Sequence, residues 1–314
     1  MTTHRLAPHG SADPGDSAPP AEVMGLTRRY RGAAAVDQLD LRLVRGEVYG
    51  FLGPNGAGKT TTMRMLMGLV RPTAGSIRLF GRPVGPASLS RVSALIEAPA
   101  FRRHLSGRRN LQALAHHARV PRERVGKALD AVRLADRADE PVTAFSMGMT
   151  QRLGLAAVLL KDPRLLILDE PANGLDPAGI VEMRRLLRRL ADEGRTVLLS
   201  SHLMGEVEQI CDRVGIIRRG EMVMESTVAQ LRSGGALHVL AEPQESARRL
   251  LAGRVGSAAV RQDGERLLIA TGPYRAAELN ELLIESGHAV AELSWCEPDL
   301  EQMFLRLTED HDDP

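Results

Sequence analysis

The chain has 314 residues, a formal net charge of +2 and only 3% aromatic residues. That length fits one large and one small domain, and a charge so close to neutral gives no electrostatic argument for nucleic acid as a partner. No apolar run approaches the roughly 20 residues needed to span a bilayer, and two cysteines, Cys211 and Cys296, fit reduced thiols rather than a disulfide framework.

Residues 1–20 are rich in Pro, Ala, Gly, Ser and Asp and have no apolar signal-peptide region. They read as a disordered tail, so a soluble, intracellular protein is expected, with any membrane role reached through a partner. Further on, Val48–Leu52 reads as a buried strand and Thr62–Met67 as the first turns of a helix. Between them, Gly53-Pro54-Asn55-Gly56-Ala57-Gly58-Lys59-Thr60-Thr61 fits the phosphate-loop pattern G-x-x-x-x-G-K-[ST]. Glycines let successive N–H groups turn inward onto phosphate oxygens, and the helix adds the positive end of its dipole. Lys59 would reach the β- and γ-phosphates, Thr60 would ligate Mg²⁺ and Thr61 could reach the α-phosphate. A Gly-rich turn that matches by chance is the alternative. Against it, strand, loop and helix fall in register, and Lys59 is one of only three lysines among 41 basic residues. A compact ammonium fits between phosphates where a planar guanidinium needs more room.

Phe145-Ser146-Met147-Gly148 precedes a helical run from Leu153 to Leu160. Ser146 and Gly148 offer a hydroxyl, a free N–H and a dipole end to an anion, although an ordinary helix N-cap looks the same. Leu165-Leu166-Ile167-Leu168-Asp169-Glu170 is an apolar run ending in two carboxylates, the pattern of a buried parallel strand with functional groups at its carboxyl end. Asp169 would hold Mg²⁺ through a water, and Glu170 would polarise the water that attacks the γ-phosphate. A strand followed by an acidic helix cap would share this look. Val197–Ser201 reads as another strand, ending beside His202.

These motifs, with Gly174-Leu175-Asp176 and Ser200-Ser201-His202, stand in the order found in the ATP-binding subunits of ABC transporters, which the chain resembles over roughly residues 22 to 232. The resemblance implies a P-loop α/β core with an antiparallel edge subdomain and a helical insert. It also implies a head-to-tail homodimer with two sandwiched ATPs. The phosphate loop of one copy would face Ser146 and Gly148 of the other, Asp176 would lie at the seam and His202 would touch the γ-phosphate. Tyr30 matches the residue that stacks on adenine, with a surface-strand tyrosine as its bland alternative. The chain departs from the common pattern at two sites: Met149-Thr150 replaces Gly-Gln in the signature, and Glu97 stands where a metal-contacting glutamine is usual. Glutamate there is similar to exporters of bacitracin and lantibiotic peptides. It would offer Mg²⁺ a charged oxygen, unless it is a solvated strand end. The four arginines of the segment from Ala98 to Leu111, with Phe101, could dock a transmembrane subunit or form an ordinary solvated face. His116 and His117 are adjacent and point apart, so no metal is expected there.

From Leu237 the order strand, helix, strand, strand, helix, strand suggests a small ferredoxin-like unit, with the boundary at 235/236. A last helix follows Pro298, its apolar stripe being Leu300, Met303, Phe304 and Leu307, and Trp295 is expected in the core. This ending resembles ABC-2-type drug-export ATPases, including the daunorubicin group. The whole implies a Mg²⁺-dependent ATPase on the cytoplasmic face of a membrane, working with an ABC-2-type permease and without nucleic acid. A soluble ABC ATPase acting on ribosomes or DNA is the alternative, and a rarely hydrolysing regulatory module a further one.

Overall fold

The computed structural model describes residues 17–97, 100–233, 235–271 and 275–296. The chain forms two compact units that divide between Glu225 and Ser226, earlier than the expected 235/236. The helix expected after Pro298 and most of the expected N-terminal tail lie outside the described residues.

The first unit opens with β1 (Ala21–Tyr30), β2 (Ala33–Arg42), β3 (Val48–Leu52), α1 (Lys59–Leu66), β4 (Ala74–Leu79), β5 (Arg82–Pro83), α2 (Pro86–Leu89) and β6 (Val92–Leu95). A helical stretch follows with α3 (Gly107–His117), α4 (Glu123–Ala131) and α5 (Met147–Leu159). The unit closes with β7 (Leu165–Leu168), α6 (Pro177–Asp192), β8 (Thr196–Ser201), α7 (Met204–Val207), β9 (Arg213–Arg218) and the first residues of β10 (Glu221–Thr227), a strand whose last two residues fall past the division. A four-stranded sheet has the order β2-β1-β4-β5, with each strand antiparallel to its neighbours. A six-stranded sheet has the order β10-β9-β3-β8-β7-β6, in which β9, β3, β8, β7 and β6 run parallel.

Parallel order explains the sequence of these strands. A strand covered on both faces has no solvent side, so it reads as an unbroken apolar run rather than an alternation. β3 and β7 are buried at every position. Tyr49 and Phe51 of β3, Met63 and Leu66 of α1, Leu198 of β8 and Ile217 of β9 share one core. Helix α6 shows the other periodicity. Met183, Leu186, Leu187, Leu190 and Ala191 make its buried stripe, Asp176 caps it by accepting from the Gly179 N–H at 2.9 Å, and Pro177 stands at its first position.

One consequence of the parallel sheet fixes the site. The carboxyl ends of β3, β6, β7 and β8 lie at the same edge, so the segments beginning at Gly53, Ile96, Asp169 and His202 emerge together.

The second unit contains α8 (Val228–Ser233), β11 (Ala236–Glu242), α9 (Gln244–Val255), β12 (Val260–Asp263), β13 (Arg266–Ile269), α10 (Ala276–Glu285) and β14 (Ala289–Cys296). Its sheet order β12-β13-β11-β14, antiparallel throughout, is the ferredoxin-like arrangement expected from the element order. Leu237, Val239, Leu251, Leu267, Ile269, Leu279 and Leu283 fill its core, and Trp295 packs against them partly buried. Among the described residues no helix is long and apolar enough to cross a membrane.

Candidate active site

The loop after β3 closes around a cleft of about 170 Å³ lined by Ala35, Pro54, Asn55, Gly56, Ala57, Gly58, Lys59, Thr60, Thr61, Asp169 and Glu170. Gly58, at φ +109°, caps α1, and a Cβ there would lie 2.5 Å from the Ala35 carbonyl oxygen. A side chain at Gly53 would collide with the Ile217 carbonyl. Glycine is therefore required at both ends of the loop by close backbone packing.

Lys59 is 6% exposed, and its ammonium donates to the loop's own Gly53 and Pro54 carbonyls. Its Nζ also lies 3.4 Å from Glu170 Oε1, a buried oxygen that accepts no hydrogen bond. The other Glu170 oxygen meets His202 Nδ1 at 2.9 Å. Glu170 itself sits in the left-handed region at φ +47°, a conformation that a non-glycine residue holds only when its surroundings enforce it. Next to it, Asp169 receives a hydrogen bond on each oxygen: Thr60 Oγ1 donates to Oδ2 at 2.6 Å and Ser200 Oγ donates to Oδ1 at 2.5 Å. The structure thus brings Lys59, Thr60, Asp169, Glu170 and His202 together from three strand ends.

Other expected residues lie apart from the cleft. Glu97 is 64% exposed at φ +69° and forms an ion pair with Arg64 of α1. Tyr30, 42% exposed, does not line the cleft, and the Arg28 guanidinium lies 4.4 Å from its ring centroid. Ser146 is exposed and accepts from the Met149 N–H at 3.2 Å as the cap of α5. Its neighbour Met147 is an exposed apolar side chain. Gly148 packs close to Leu175, and Gln151 of the same helix donates to the Pro171 carbonyl at 3.2 Å, tying the start of α5 to the loop after Glu170. Among the described residues there is no cluster of three or more His, Cys, Asp or Glu side chains able to hold a metal, His116 and His117 included.

Residue-by-residue reasoning missed Ser200, although a polar residue inside a strand whose six positions are all buried is a visible signal. It also missed Arg64, whose partnership with Glu97 spans distant segments and leaves no local trace.

Chemically, the loop N–H groups, the α1 N-terminus and Lys59 suit polyphosphate. The Thr60 hydroxyl and Asp169 carboxylate are hard oxygen donors already in mutual contact, the kind that suits Mg²⁺ when substrate phosphates supply the remaining ligands. Glu170 is a carboxylate lining the same cleft, a group of the kind that can accept a proton.

The ABC transporter family model matches residues 36–173. The chain is 39% identical over 291 residues to the bacitracin transport ATP-binding protein of Bacillus licheniformis, covering 90% of this chain and 95% of that protein. It is 36% identical to the daunorubicin/doxorubicin resistance ATP-binding protein of Streptomyces peucetius, covering 91% and 92% respectively. A solved ATP-binding subunit of an ABC transporter superposes with a TM-score of 0.62 at 28% identity, over 68% of this chain and 91% of that one.

Proposed function

We propose that this chain, which belongs to the ABC transporter ATP-binding family, powers export of an antibiotic, peptide or drug through a separate ABC-2-type permease. The chain is an ATPase subunit of an exporter-type transporter, and the relatives give no support to a ribosome- or DNA-associated role. The substrate class rests chiefly on one observation: similarity to the bacitracin protein runs almost end to end, so it takes in the C-terminal unit as well as the ATPase core. Residues 21–235 would serve as the ATP-binding domain and residues 236–314 as an accessory domain.

In this reading the loop from Gly53 to Thr61 cradles the phosphates of ATP. As they enter, Lys59 turns from the Gly53 and Pro54 carbonyls and from Glu170 toward phosphate oxygens. Magnesium, held by Thr60 and Asp169, would neutralise developing phosphate charge. Glu170 takes the proton of the attacking water, and His202 at 2.9 Å holds that carboxylate in place while presenting its ring to the γ-phosphate. Glu97 would join the metal only after leaving Arg64. Tyr30 would offer the adenine the ring face that Arg28 leaves free.

Two copies would close head to tail over two ATPs. Support comes from the exposure of Ser146 and Met147, which places the signature helix start on the surface of a single chain. Asp176 would lie at the same seam. The pair would sit on the cytoplasmic face of the membrane, bound to the permease. Co-expression with a candidate ABC-2-type permease in a bacitracin- or daunorubicin-sensitive host tests the proposal. Resistance lost on Lys59→Ala substitution supports it; equal sensitivity with and without the transporter, to both compounds and to lantibiotics, refutes the export role.

A further inference from the structure

We infer that Ser200 is a positioning residue for hydrolysis, holding the metal-binding carboxylate and the backbone of the catalytic carboxylate through one hydroxyl. The inference rests on the proposed roles of Asp169 and Glu170.

Ser200 is completely buried near the end of β8. A hydroxyl has one proton to donate and two lone pairs to accept with. Here the proton goes to Asp169 Oδ1 at 2.5 Å, while a lone pair accepts the Glu170 N–H at 2.8 Å. Thr60 holds the other Asp169 oxygen, so the carboxylate is fixed at both ends. If a bound metal were to take the Thr60 hydroxyl, Ser200 would be, among the described residues, the side chain still orienting Asp169. The second bond reaches the residue whose φ of +47° needs enforcement, because anchoring the Glu170 amide holds the turn that aims its side chain at Lys59 and His202. Ser201, although also buried, behaves differently: its hydroxyl accepts the Leu203 N–H at 3.0 Å and shapes the turn beyond His202.

Partners that orient a metal ligand typically contribute about 10–100-fold in affinity or activity when removed. Three full-length variants test the inference: Ser200→Ala, which loses both bonds, Ser200→Thr, which keeps a hydroxyl, and Glu170→Gln as the control for the underlying reading. Turnover per nucleotide-binding site, measured on folded protein, is expected to fall about 10–100-fold for Ser200→Ala with little change in KM for ATP, and to recover in Ser200→Thr. In nucleotide- and metal-free protein, hydrogen exchange at the Glu170 amide is expected to accelerate in Ser200→Ala, a local effect that general destabilisation would not confine to that residue. Parental turnover and unchanged Glu170 exchange in Ser200→Ala, alongside an inactive Glu170→Gln, would overturn the role of Ser200 alone. An active Glu170→Gln would overturn the reading beneath it.

Discussion

Replacing Glu170 by Gln removes a charge while keeping the shape of the side chain, and it separates binding from hydrolysis. The Glu170 carboxylate lies 3.4 Å from the Lys59 ammonium and is 20% exposed. At an effective dielectric constant of about 20, that separation corresponds to a gross attraction of about 5 kcal/mol. ATP must overcome part of it to draw Lys59 onto its phosphates. If only a fifth of the attraction survives solvation, about 1 kcal/mol, its removal raises ATP affinity about five-fold. Hydrolysis moves the other way. A neutral amide cannot take the water's proton, and loss of a general base costs about 10²–10⁴ in rate, or about 3–5 kcal/mol in the barrier. Phosphate release measures the second effect and titration with a fluorescent ATP analogue the first. Parental turnover would refute the choice of base. Weaker ATP binding with normal folding would refute the competition between Glu170 and phosphate for Lys59.

Lys59→Ala should abolish tight ATP binding yet leave the circular dichroism spectrum unchanged; retained micromolar affinity would contradict the phosphate-loop assignment. Glu97→Ala should lower turnover with a modest loss of ATP binding, and equal turnover at saturating Mg-ATP would exclude a role at the metal. Acid should loosen the surface ion pairs of the C-terminal unit. Hydrogen bonds from Arg248 and then Arg249 hold Glu245 down to about 2, Arg275 and Arg254 lower Glu278, and Ser294 and Arg266 lower Glu292. Depressed carboxylates stabilise the fold above their ordinary value of 4.5, and that contribution is lost as the pH falls toward about 2. Trp295, the single tryptophan, packs against this unit's core, so its fluorescence should report a transition between pH 4.5 and 2 that added salt weakens. A flat signal across that range would contradict it.

What could be read from the sequence followed local pattern. Residues 48–67 announce strand, phosphate loop and helix because buried parallel strands are continuous apolar runs and the loop's chemistry demands its glycines. The Leu165–Glu170 run is legible for the same reason. So is the βαββαβ order from residue 236, where alternating strand faces and helical stripes have different periods. Contacts between distant segments were not legible. Arg64 and Glu97 are 33 positions apart, and Ser200 meets Asp169 across 31. Such pairings follow from strand order, which no local window contains. The division between units illustrates the same limit: Ser233-Gly234-Gly235 is the visible break in the sequence, yet the compact units part before α8.

Two-copy closure over ATP is the claim on which the transport account stands, and site-directed crosslinking tests it most directly. In a Cys296→Ser background, which leaves only the buried Cys211, chains carrying Asn55→Cys and Glu170→Gln would be mixed with chains carrying Ser146→Cys and Glu170→Gln. A short bis-maleimide should join the two kinds of chain when Mg-ATP is present and fail to join them when it is absent. Absence of any joined species at saturating Mg-ATP, with ATP binding intact in both variants, would contradict the account.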